Sequence, residues 1–234
     1  MRSPPIVFFD LEGTLIQIPQ RIMKTGAYPS MWGVLAELLG PACYEDELRL
    51  TDSFRSGEMN YLDFMDNTID TFKKHGLDFS VYSKLLALVE PEPGIDAVAR
   101  RLRERGSVIC IVTGAMKGVA EPIQKQMKAR HLFAGAELYF DMSTNELTHW
   151  NLLPSDYEGK VDFMRLLIRE YGANAKDCLF VGDGENDVPL AKEVGVSVAY
   201  NSASANLRRT ATHILDQPHT ARNFEDILGV IGFG

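Results

Sequence analysis

Four short runs of consecutive apolar residues recur along the chain, and they predict strands that are buried on both faces. The runs are rich in Val, Ile, Phe and Leu, and they cover residues 6–9, 108–112, 178–181 and 196–199. Residues of these types favour the pleated backbone of a buried strand. A further stretch at residues 138–150 has a turn signal at residues 143–145, which predicts a strand, a turn and a short return strand.

Between the apolar runs, hydrophobic residues recur three or four positions apart, which is the spacing of one helix face. Ile95, Val98 and Leu102 form one such series, which ends at Gly106, and a second series spans residues 163–171. A glycine just after the last periodic residue is typical of a helix end. Strands that alternate with helices predict an α/β fold with a doubly wound (Rossmann-like) parallel sheet.

The stretch between the first two apolar runs breaks this alternation because strand-like runs disappear. Three series of apolar residues with helical spacing replace them, at residues 31–39, 61–72 and 85–89. The proline-rich sequence EPEPG follows and is typical of a boundary. We therefore predict a small helical cap domain over residues 17–90, inserted into an α/β core made of residues 1–16 and 91–234.

Composition and charge narrow the class of protein. The 234 residues are 45% hydrophobic and 24% charged, which is ordinary for a globular protein, and the net charge is −8. This charge argues against broad binding of nucleic acid or of an anionic membrane, so an anionic substrate needs a local site. No apolar stretch approaches the roughly 20 residues of a membrane helix. The N-terminus meets an acid too early for a secretory signal.

The three cysteines also favour a cytoplasmic protein. Cys43, Cys110 and Cys178 lack the spacing of a metal site, and an odd number cannot all pair. Buried, reduced thiols are the simpler interpretation. We expect a cytoplasmic protein that binds neither nucleic acid nor membrane, and the oligomeric state stays open.

Acids, hydroxyl and amide side chains and a glycine follow three of the predicted strands at the point where each strand ends. They are Asp10, Glu12 and Thr14 after the first run, Thr113 and Gly114 after the second, and Asp183, Asn186 and Asp187 after the third. In open α/β sheets, ligands bind beyond the carboxyl ends of the strands. Lys160, at the start of a predicted helix, can reach the same edge. The sequence therefore predicts one polar site at this edge.

These residue types suit metal-assisted phosphoryl transfer. Asp10 and Asp183 offer the oxygen ligands that Mg²⁺ prefers, and a carboxylate can act as the nucleophile that forms an aspartyl-phosphate. Lys160, the Thr113 hydroxyl and backbone N–H groups can neutralise the phosphoryl charge. Glu12 lies two residues after Asp10 and faces the same side of an extended segment. It can protonate the leaving alkoxide and then deprotonate the hydrolytic water.

The order of these motifs resembles the haloacid dehalogenase superfamily of phosphotransferases, and within it the phosphoserine-phosphatase-like group. The motifs are DLEGT, IVTGA, Lys160 and GDGEND, and the helical insertion resembles the small cap of that group. The resemblance implies Asp10 as nucleophile and metal ligand, Glu12 as acid/base with a backbone carbonyl on the metal, and Asp183 as metal ligand. It implies phosphate contacts from Thr113, Gly114, Lys160 and Asn186, with Asp187 orienting a metal water or Lys160.

The chain departs from the family pattern at three positions. Glu12 replaces the usual second Asp and adds one C–C bond of reach, roughly 1.5 Å. A Glu at this position occurs in a branch that resembles this chain and passes phosphate from phosphoserine to homoserine. The Glu and Arg that hold the phosphoserine head group in the family correspond here to Pro19 and Asp66. Their absence makes phosphoserine a less favoured substrate. Other cap-side candidates for reading the substrate are Gln17, Gln20, Arg21, Lys24, Arg55 and Asp66.

The main hypothesis is a Mg²⁺-dependent phosphatase that acts on a small phosphorylated metabolite beneath a mobile cap. One alternative is a phosphotransferase that moves phosphate to a small alcohol, and another is a non-catalytic phospho-ligand-binding protein. Structural roles are also open: Thr113 can cap the next helix, and Asp183 and Asp187 can be ordinary helix N-terminal acids. A dinucleotide site is disfavoured because the third glycine of its motif falls at Asp187.

Overall fold

The computed structural model of the chain describes residues 4–18 and 30–232. Within these residues the strands are β1 (Ile6–Phe9), β2 (Ile16–Gln17), β3 (Glu90–Pro91), β4 (Val108–Met116), β5 (His131–Phe140), β6 (Leu147–Leu152), β7 (Leu179–Gly182), β8 (Val196–Tyr200) and β9 (His213–Leu215). The α-helices are α1 (Met31–Leu39), α2 (Pro41–Arg55), α3 (Tyr61–Lys74), α4 (Phe79–Leu86), α5 (Ile95–Glu104), α6 (Lys117–Met127), α7 (Glu158–Tyr171), α8 (Val188–Glu193), α9 (Ala205–Thr210) and α10 (Asp226–Val230).

Strand β1 lies at the centre of the main sheet, whose order is β6-β5-β4-β1-β7-β8-β9. It pairs in parallel with β4 on one side and with β7 on the other, and only β6 runs antiparallel to its neighbour. Side chains alternate across a strand, so Val7 and Phe9 pack into one core layer while Ile6 and Phe8 pack into the other. Helices α5 and α6 cover the first face, and α7 and α8 cover the second. The predicted doubly wound α/β class is confirmed.

The apolar runs locate the central strands well, while the edges of the sheet were not predicted. The four predicted strands coincide with β1, β4, β7 and β8 to within a few residues, and the predicted hairpin forms between β5 and β6. However, β5 begins seven residues earlier than expected. The prediction missed its first half because small residues interrupt it and leave no continuous apolar run. Strands β2, β3 and β9 are only two or three residues long and partly exposed, so they show no pattern at all.

Four helices lie between β2 and β3, in the region predicted as a cap. Helices α1 and α3 match two of the predicted series, α4 overlaps the third only at Leu85 and Leu86, and α2 was missed. Only Cys43, Tyr44 and Glu47 of its 15 residues are buried, so it has no continuous apolar stripe. The chain leaves the core at β2 and returns at β3, which pair antiparallel. We retain residues 17–90 as the proposed cap domain on this basis.

The β5–β6 hairpin contacts the helical segment directly. The Phe79 N–H donates to the Asn145 carbonyl (2.8 Å), and the Trp150 indole N–H donates to the Asp66 carboxylate (2.7 Å). The rings of Phe79 and Phe140 meet edge to face at 5.6 Å. These contacts hold α3 and α4 beside the sheet edge at which β4 and β5 end. No helix within residues 4–18 and 30–232 combines the length and the apolar character needed to cross a bilayer.

Gly159 fixes the start of α7, and its replacement tests how strictly that start is placed. A Cβ at this position would lie 1.6 Å from the Pro154 carbonyl oxygen, which belongs to the backbone and cannot simply rotate away. We expect Gly159→Ala to lower the free energy of unfolding by about 1–3 kcal/mol, measured by urea denaturation.

The matched control is Gly229→Ala in α10, where a Cβ meets nothing within 4 Å in the described part of the chain. Alanine is favoured over glycine inside a helix by up to about 1 kcal/mol, so this variant should be neutral or slightly stabilised. Equal losses in the two variants would contradict the strict placement of α7.

Candidate active site

Asp10 is the first residue after β1, and its position follows from the sheet. Its backbone N–H donates to the Val181 carbonyl of β7 (2.9 Å), which extends the parallel pairing by one step. The side chain is buried, and its Oδ1 accepts a hydrogen bond from Lys160 Nζ at 2.6 Å. The Asp10 side chain therefore lies where the parallel strands end, and the Lys160 ammonium holds it in place.

Lys160 lies in the first turn of α7, and its side chain is completely buried. Besides Asp10, its ammonium contacts Asp187 Oδ1 at 2.5 Å and lies 3.6 Å from Asp156 Oδ1. One cation is thus enclosed by three carboxylates. Their negative charges hold the pKa of Lys160 well above its usual range, although burial alone would lower it. Lys160 is charged at any working pH.

Asp187 orients this lysine and also shapes the loop that follows β7. Its Oδ1 accepts from Lys160, while its Oδ2 accepts from the backbone N–H groups of Asp183 and Gly184, each at 2.9 Å. Both carboxylate oxygens are therefore engaged within the site. Asp183 in turn accepts a hydrogen bond from the Thr14 hydroxyl (3.1 Å). The second carboxylate of the predicted metal pair is thereby positioned by the loop after the first strand.

The acidic cluster fits a hard divalent cation. One carboxylate oxygen from each of Asp10, Asp183 and Asp187 lies within 4.8 Å of the others. Lys160 cannot balance three such groups, and burial raises the pKa of Asp10 well above its ordinary value and that of Asp183 to about 8. A bound cation would remove this excess of negative charge, and carboxylate oxygens are the ligands that Mg²⁺ prefers. Because Asp187 already uses both oxygens, Asp10 and Asp183 are the better ligands.

Glu12 reaches from the core loop to the helical segment. Its Oε1 accepts a hydrogen bond from the backbone N–H of Met31, the first residue of α1, at 2.8 Å. Burial raises the pKa of Glu12 to about 7, the Met31 hydrogen bond opposes this rise, and the charge of Asp156 adds to it. A carboxyl group that titrates near neutral pH can both donate and accept a proton, which suits acid/base catalysis.

Of the other predicted phosphate-binding residues, Thr113 and Gly114 lie in the last half of β4, and Asn186 follows β7. The Thr113 hydroxyl oxygen accepts the Ala115 N–H (3.1 Å), which leaves its proton free to donate. Helix α6 begins only at Lys117, so Thr113 does not cap it. Asn186 differs from expectation, because its Nδ2 donates to Asp156 Oδ1 at 2.7 Å. Its amide is held by a carboxylate in this structure.

Asp156 is a site residue that the sequence analysis missed. It lies in the loop before α7, contacts Asn186 and stands close to Gly114, where a Cβ would meet its Oδ2 at 2.6 Å. Burial raises its pKa. It follows no strand directly and belongs to no motif, but it lies four residues before Lys160. Because α7 begins only at Glu158, this spacing is not that of one helix face, and the sequence carries no signal that locates Asp156 in the site.

A cavity of about 200 Å³ opens above these residues, and α1, α2 and α3 form its outer wall. Its volume is below the roughly 300–1,000 Å³ of sites for drug-sized ligands, so it suits a small molecule. Arg55 lines it, as do side chains that were not predicted: Tyr44, Glu47, Phe54, Tyr61, Phe64 and Tyr157. Gln17 lines a neighbouring groove instead. Asp66 accepts a hydrogen bond from Trp150, and the remaining cap-side candidates, Gln20, Arg21 and Lys24, lie outside the described residues, as does Pro19.

Comparison with known proteins identifies the family. The family described as haloacid dehalogenase-like hydrolase matches residues 4–195, which is most of the chain. The chain belongs to this family. The prediction of a haloacid dehalogenase superfamily enzyme of the phosphoserine-phosphatase-like type, with hydrolase chemistry, is therefore confirmed.

Two curated relatives of this haloacid dehalogenase-like hydrolase are similar over most of its length. Phosphoserine phosphatase SerB2 from Mycobacterium tuberculosis is 25% identical over 93% of the chain, which spans 49% of that relative. A phosphoserine phosphatase from Methanocaldococcus jannaschii is 20% identical over 85% of the chain and 86% of the relative. A solved structure, a phospho-aspartyl intermediate analogue of phosphoserine phosphatase, superposes with a TM-score of 0.75 at 19% identity, covering 97% of this chain and 99% of that one. The likeness extends to the whole fold, including the inserted helices.

The raised pKa of Glu12 predicts how stability of this hydrolase depends on pH when divalent cations are chelated. The folded state holds the Glu12 proton more tightly than the unfolded state, whose pKa is near the ordinary value of 4.5. Stability is therefore greatest below pH 4.5 for this group and falls as the pH rises towards about 7. We expect Glu12→Gln to flatten this part of the curve of unfolding free energy against pH, measured by chemical denaturation in EDTA. An unchanged slope would contradict the assignment.

Proposed function

We propose that this haloacid dehalogenase-like hydrolase is a Mg²⁺-dependent phosphatase that hydrolyses a small phosphomonoester through an aspartyl-phosphate on Asp10. The observation that carries the proposal is the position of the Asp10 carboxylate. It lies at the floor of the 200 Å³ cavity, 2.6 Å from the Lys160 ammonium and beside a carboxylate cluster that fits a divalent cation. The size of the cavity supports a small phosphorylated metabolite as substrate.

The chemistry divides into two displacements. An Asp10 carboxylate oxygen attacks phosphorus, the bond from phosphorus to the leaving-group oxygen breaks, and protonated Glu12 gives its proton to that oxygen. Water then attacks the aspartyl-phosphate, and the Glu12 carboxylate takes the proton from the water. Inorganic phosphate and the original Asp10 carboxylate result. A pKa of about 7 lets Glu12 serve both steps at neutral pH.

The other site residues bind and neutralise the phosphoryl group. When bound, Mg²⁺ held by Asp10 and Asp183, with the Glu12 backbone carbonyl, would supply positive charge to the phosphoryl oxygens. Thr113 and Gly114 offer donors from the end of β4. An amide nitrogen carries two N–H groups, so Asn186 can hold Asp156 with one and a phosphoryl oxygen with the other.

The helical cap controls water. Helix α1 is attached to the catalytic loop through the Met31–Glu12 hydrogen bond, and aromatic side chains of α2 and α3 form the outer wall of the cavity. In the closed arrangement this wall excludes bulk water while the phosphoenzyme forms. We propose that the cap opens to admit the hydrolytic water and to release phosphate.

The cavity also restricts the leaving group. The family positions that read phosphoserine hold Pro19 and Asp66, but α2 supplies a carboxylate and a guanidinium from other positions. Glu47 is buried in the cavity wall and accepts the Thr51 hydroxyl (3.0 Å), and Arg55 lies two turns further along the same helix face. These groups support a leaving group with charged substituents. Phosphoserine, the substrate named for the relatives, therefore returns as the first compound to test.

The reduced thiols support the location that the sequence suggested. Cys43, Cys110 and Cys178 are all buried and unpaired, and burial raises the pKa of the Cys178 thiol to about 11. Thiols of this kind persist in a reducing compartment. We propose a cytoplasmic location.

Asp10→Asn tests the nucleophile. The amide keeps the shape of the side chain but is a poor nucleophile, so we expect turnover of a phosphomonoester panel with Mg²⁺ to fall at least about 1,000-fold. The control is Asp162→Asn on the exposed side of α7, which should leave kcat/KM unchanged. Appreciable residual turnover in Asp10→Asn would exclude the aspartyl-phosphate.

The two alternatives have separate signatures in the same assay. A phosphotransferase forms phosphorylated acceptor instead of free phosphate when small alcohols are added. A non-catalytic phospho-ligand-binding protein binds phosphomonoesters with Mg²⁺ but turns over none of the panel. Release of free phosphate that added alcohols do not divert supports hydrolysis.

Glu47→Gln tests the charged wall. The substitution removes one negative charge with little change in volume. We expect kcat/KM for phosphoserine, whose ammonium the carboxylate can pair, to fall about 10- to 100-fold, while glycerol 3-phosphate is unaffected. Glu45→Gln, on the exposed face of the same helix, is the control. Equal losses for both substrates would remove Glu47 from substrate recognition.

A further inference from the structure

The hydroxyl of Tyr61 is a buried donor in the cavity that the chemistry above does not use. Five buried side-chain atoms of the described residues have no hydrogen-bond partner: Glu37 Oε1, Tyr61 Oη, Glu92 Oε2, Asn201 Nδ2 and Arg222 Nε. Among them, only Tyr61 lines the catalytic cavity. Buried hydroxyl groups are normally paired, because an unpaired one has lost its water without replacement. An unpaired donor inside a binding cavity therefore points to an acceptor on the ligand.

The start of α3 and one neighbouring ring set the position of Tyr61. Tyr61 is the first residue of α3, whose start is fixed by the Asn60 side chain accepting the Asp63 N–H (3.0 Å). Its ring packs edge to face on Phe54 with centroids 5.9 Å apart. The capped helix start fixes the backbone of Tyr61, and the Phe54 contact restricts its ring.

Gly135 leaves the space that the hydroxyl occupies. A Cβ on this β5 residue would lie 2.9 Å from Tyr61 Oη and 2.5 Å from the Gly114 carbonyl oxygen. The hydroxyl therefore lies beside Gly135 in the middle of β5, next to the part of β4 that contains Thr113 and Gly114. That segment is the part of the site to which the phosphate contacts were assigned.

The electrostatic surroundings keep the hydroxyl protonated. Burial raises the pKa of Tyr61 well above its usual range, the charges of Asp156 and Glu12 add to this rise, and Lys160 opposes it. At any working pH the group is a neutral donor. The carboxylates of Asp156 and Glu12 are close enough to affect its pKa, yet neither accepts a hydrogen bond from it in the described structure. No described protein group pairs with this hydroxyl, so it can donate to an oxygen acceptor that enters the cavity.

We propose that Tyr61 is a catalytic residue of the cap whose hydroxyl donates a hydrogen bond to a phosphoryl oxygen of the substrate. The proposal rests on the proposed phosphatase function, because it takes the phosphoryl group to lie beside Thr113 and Gly114. It gives the cap a direct share in the phosphate site. With α3 displaced, the core keeps its own phosphate donors but lacks this one.

Tyr61→Phe is the direct test, because it removes only the oxygen. We expect kcat/KM for a phosphomonoester to fall about 10- to 100-fold, the usual effect of one hydrogen bond to a charged acceptor. The increase in melting temperature that inorganic phosphate produces should shrink in the same variant. The ligand-free protein should melt at an unchanged or higher temperature, because no existing hydrogen bond is lost.

Tyr82→Phe is the matched control. The Tyr82 hydroxyl is also buried, but it bonds the Gly118 backbone and lies outside the cavity. We expect this variant to melt at a lower temperature, with kcat/KM and phosphate protection unchanged. The two tyrosines should therefore show opposite patterns of stability and function.

The outcomes also separate this proposal from the proposed function. If Tyr61→Phe keeps both kcat/KM and phosphate protection, or loses them only in proportion to its stability, the proposal is overturned while hydrolysis stands. If the wild-type protein turns over no phosphomonoester, the proposed function fails, and phosphate protection still decides the role of Tyr61. Reduced protection supports the hydrogen bond, and equal protection excludes it.

Discussion

The buried ammonium of Lys160 is the interaction on which the site depends. A cation taken fully out of water is costly unless it is paired and hydrogen-bonded, and here Asp10 and Asp187 contact it directly while Asp156 lies nearby. These acids come from the loop after β1, the loop after β7 and the segment before α7. The lysine thus ties three separate parts of the chain into one cluster. The cluster still carries excess negative charge, so the same contacts that assemble the site also create its demand for a divalent cation.

The central part of this architecture was predictable because one constraint acts on several segments together. Strands buried on both faces must be continuously apolar, and the residues that follow parallel strands must meet at one edge. Asp10, Thr113 and Asp183 could therefore be grouped before any coordinates were available. Their mutual contacts depend on Lys160, which lies on α7, and no strand pattern locates this helix. The family resemblance identified Lys160 as a site residue, and the structure places its ammonium against Asp10.

What escaped prediction lacks such a constraint. Helix α2 buries only three residues and carries no apolar stripe, so Glu47 had no visible relation to the site, and Arg55 was one polar candidate among several. Asp156 and Tyr61 belong to no motif, and each reaches the cavity only through the packing of elements distant in sequence. Whether Asn186 meets a phosphate or a carboxylate depends on a side chain 30 residues away. Local pattern locates the core, whereas the wall that selects the substrate arises from tertiary packing.

The hydrogen bond from the Met31 N–H to Glu12 joins the proton cycle to the position of the cap. Because this N–H lowers the pKa of Glu12, linkage requires that protonation of Glu12 weakens the attachment of α1 by the same free energy. In the proposed cycle, Glu12 loses its proton as the leaving group departs and regains one from water as phosphate forms. In that cycle the Met31–Glu12 hydrogen bond is therefore strongest while Glu12 is ionised and weakest once phosphate has formed. A single carboxyl group, one methylene longer than the usual residue, thus couples the proton steps of the proposed cycle to the attachment of α1.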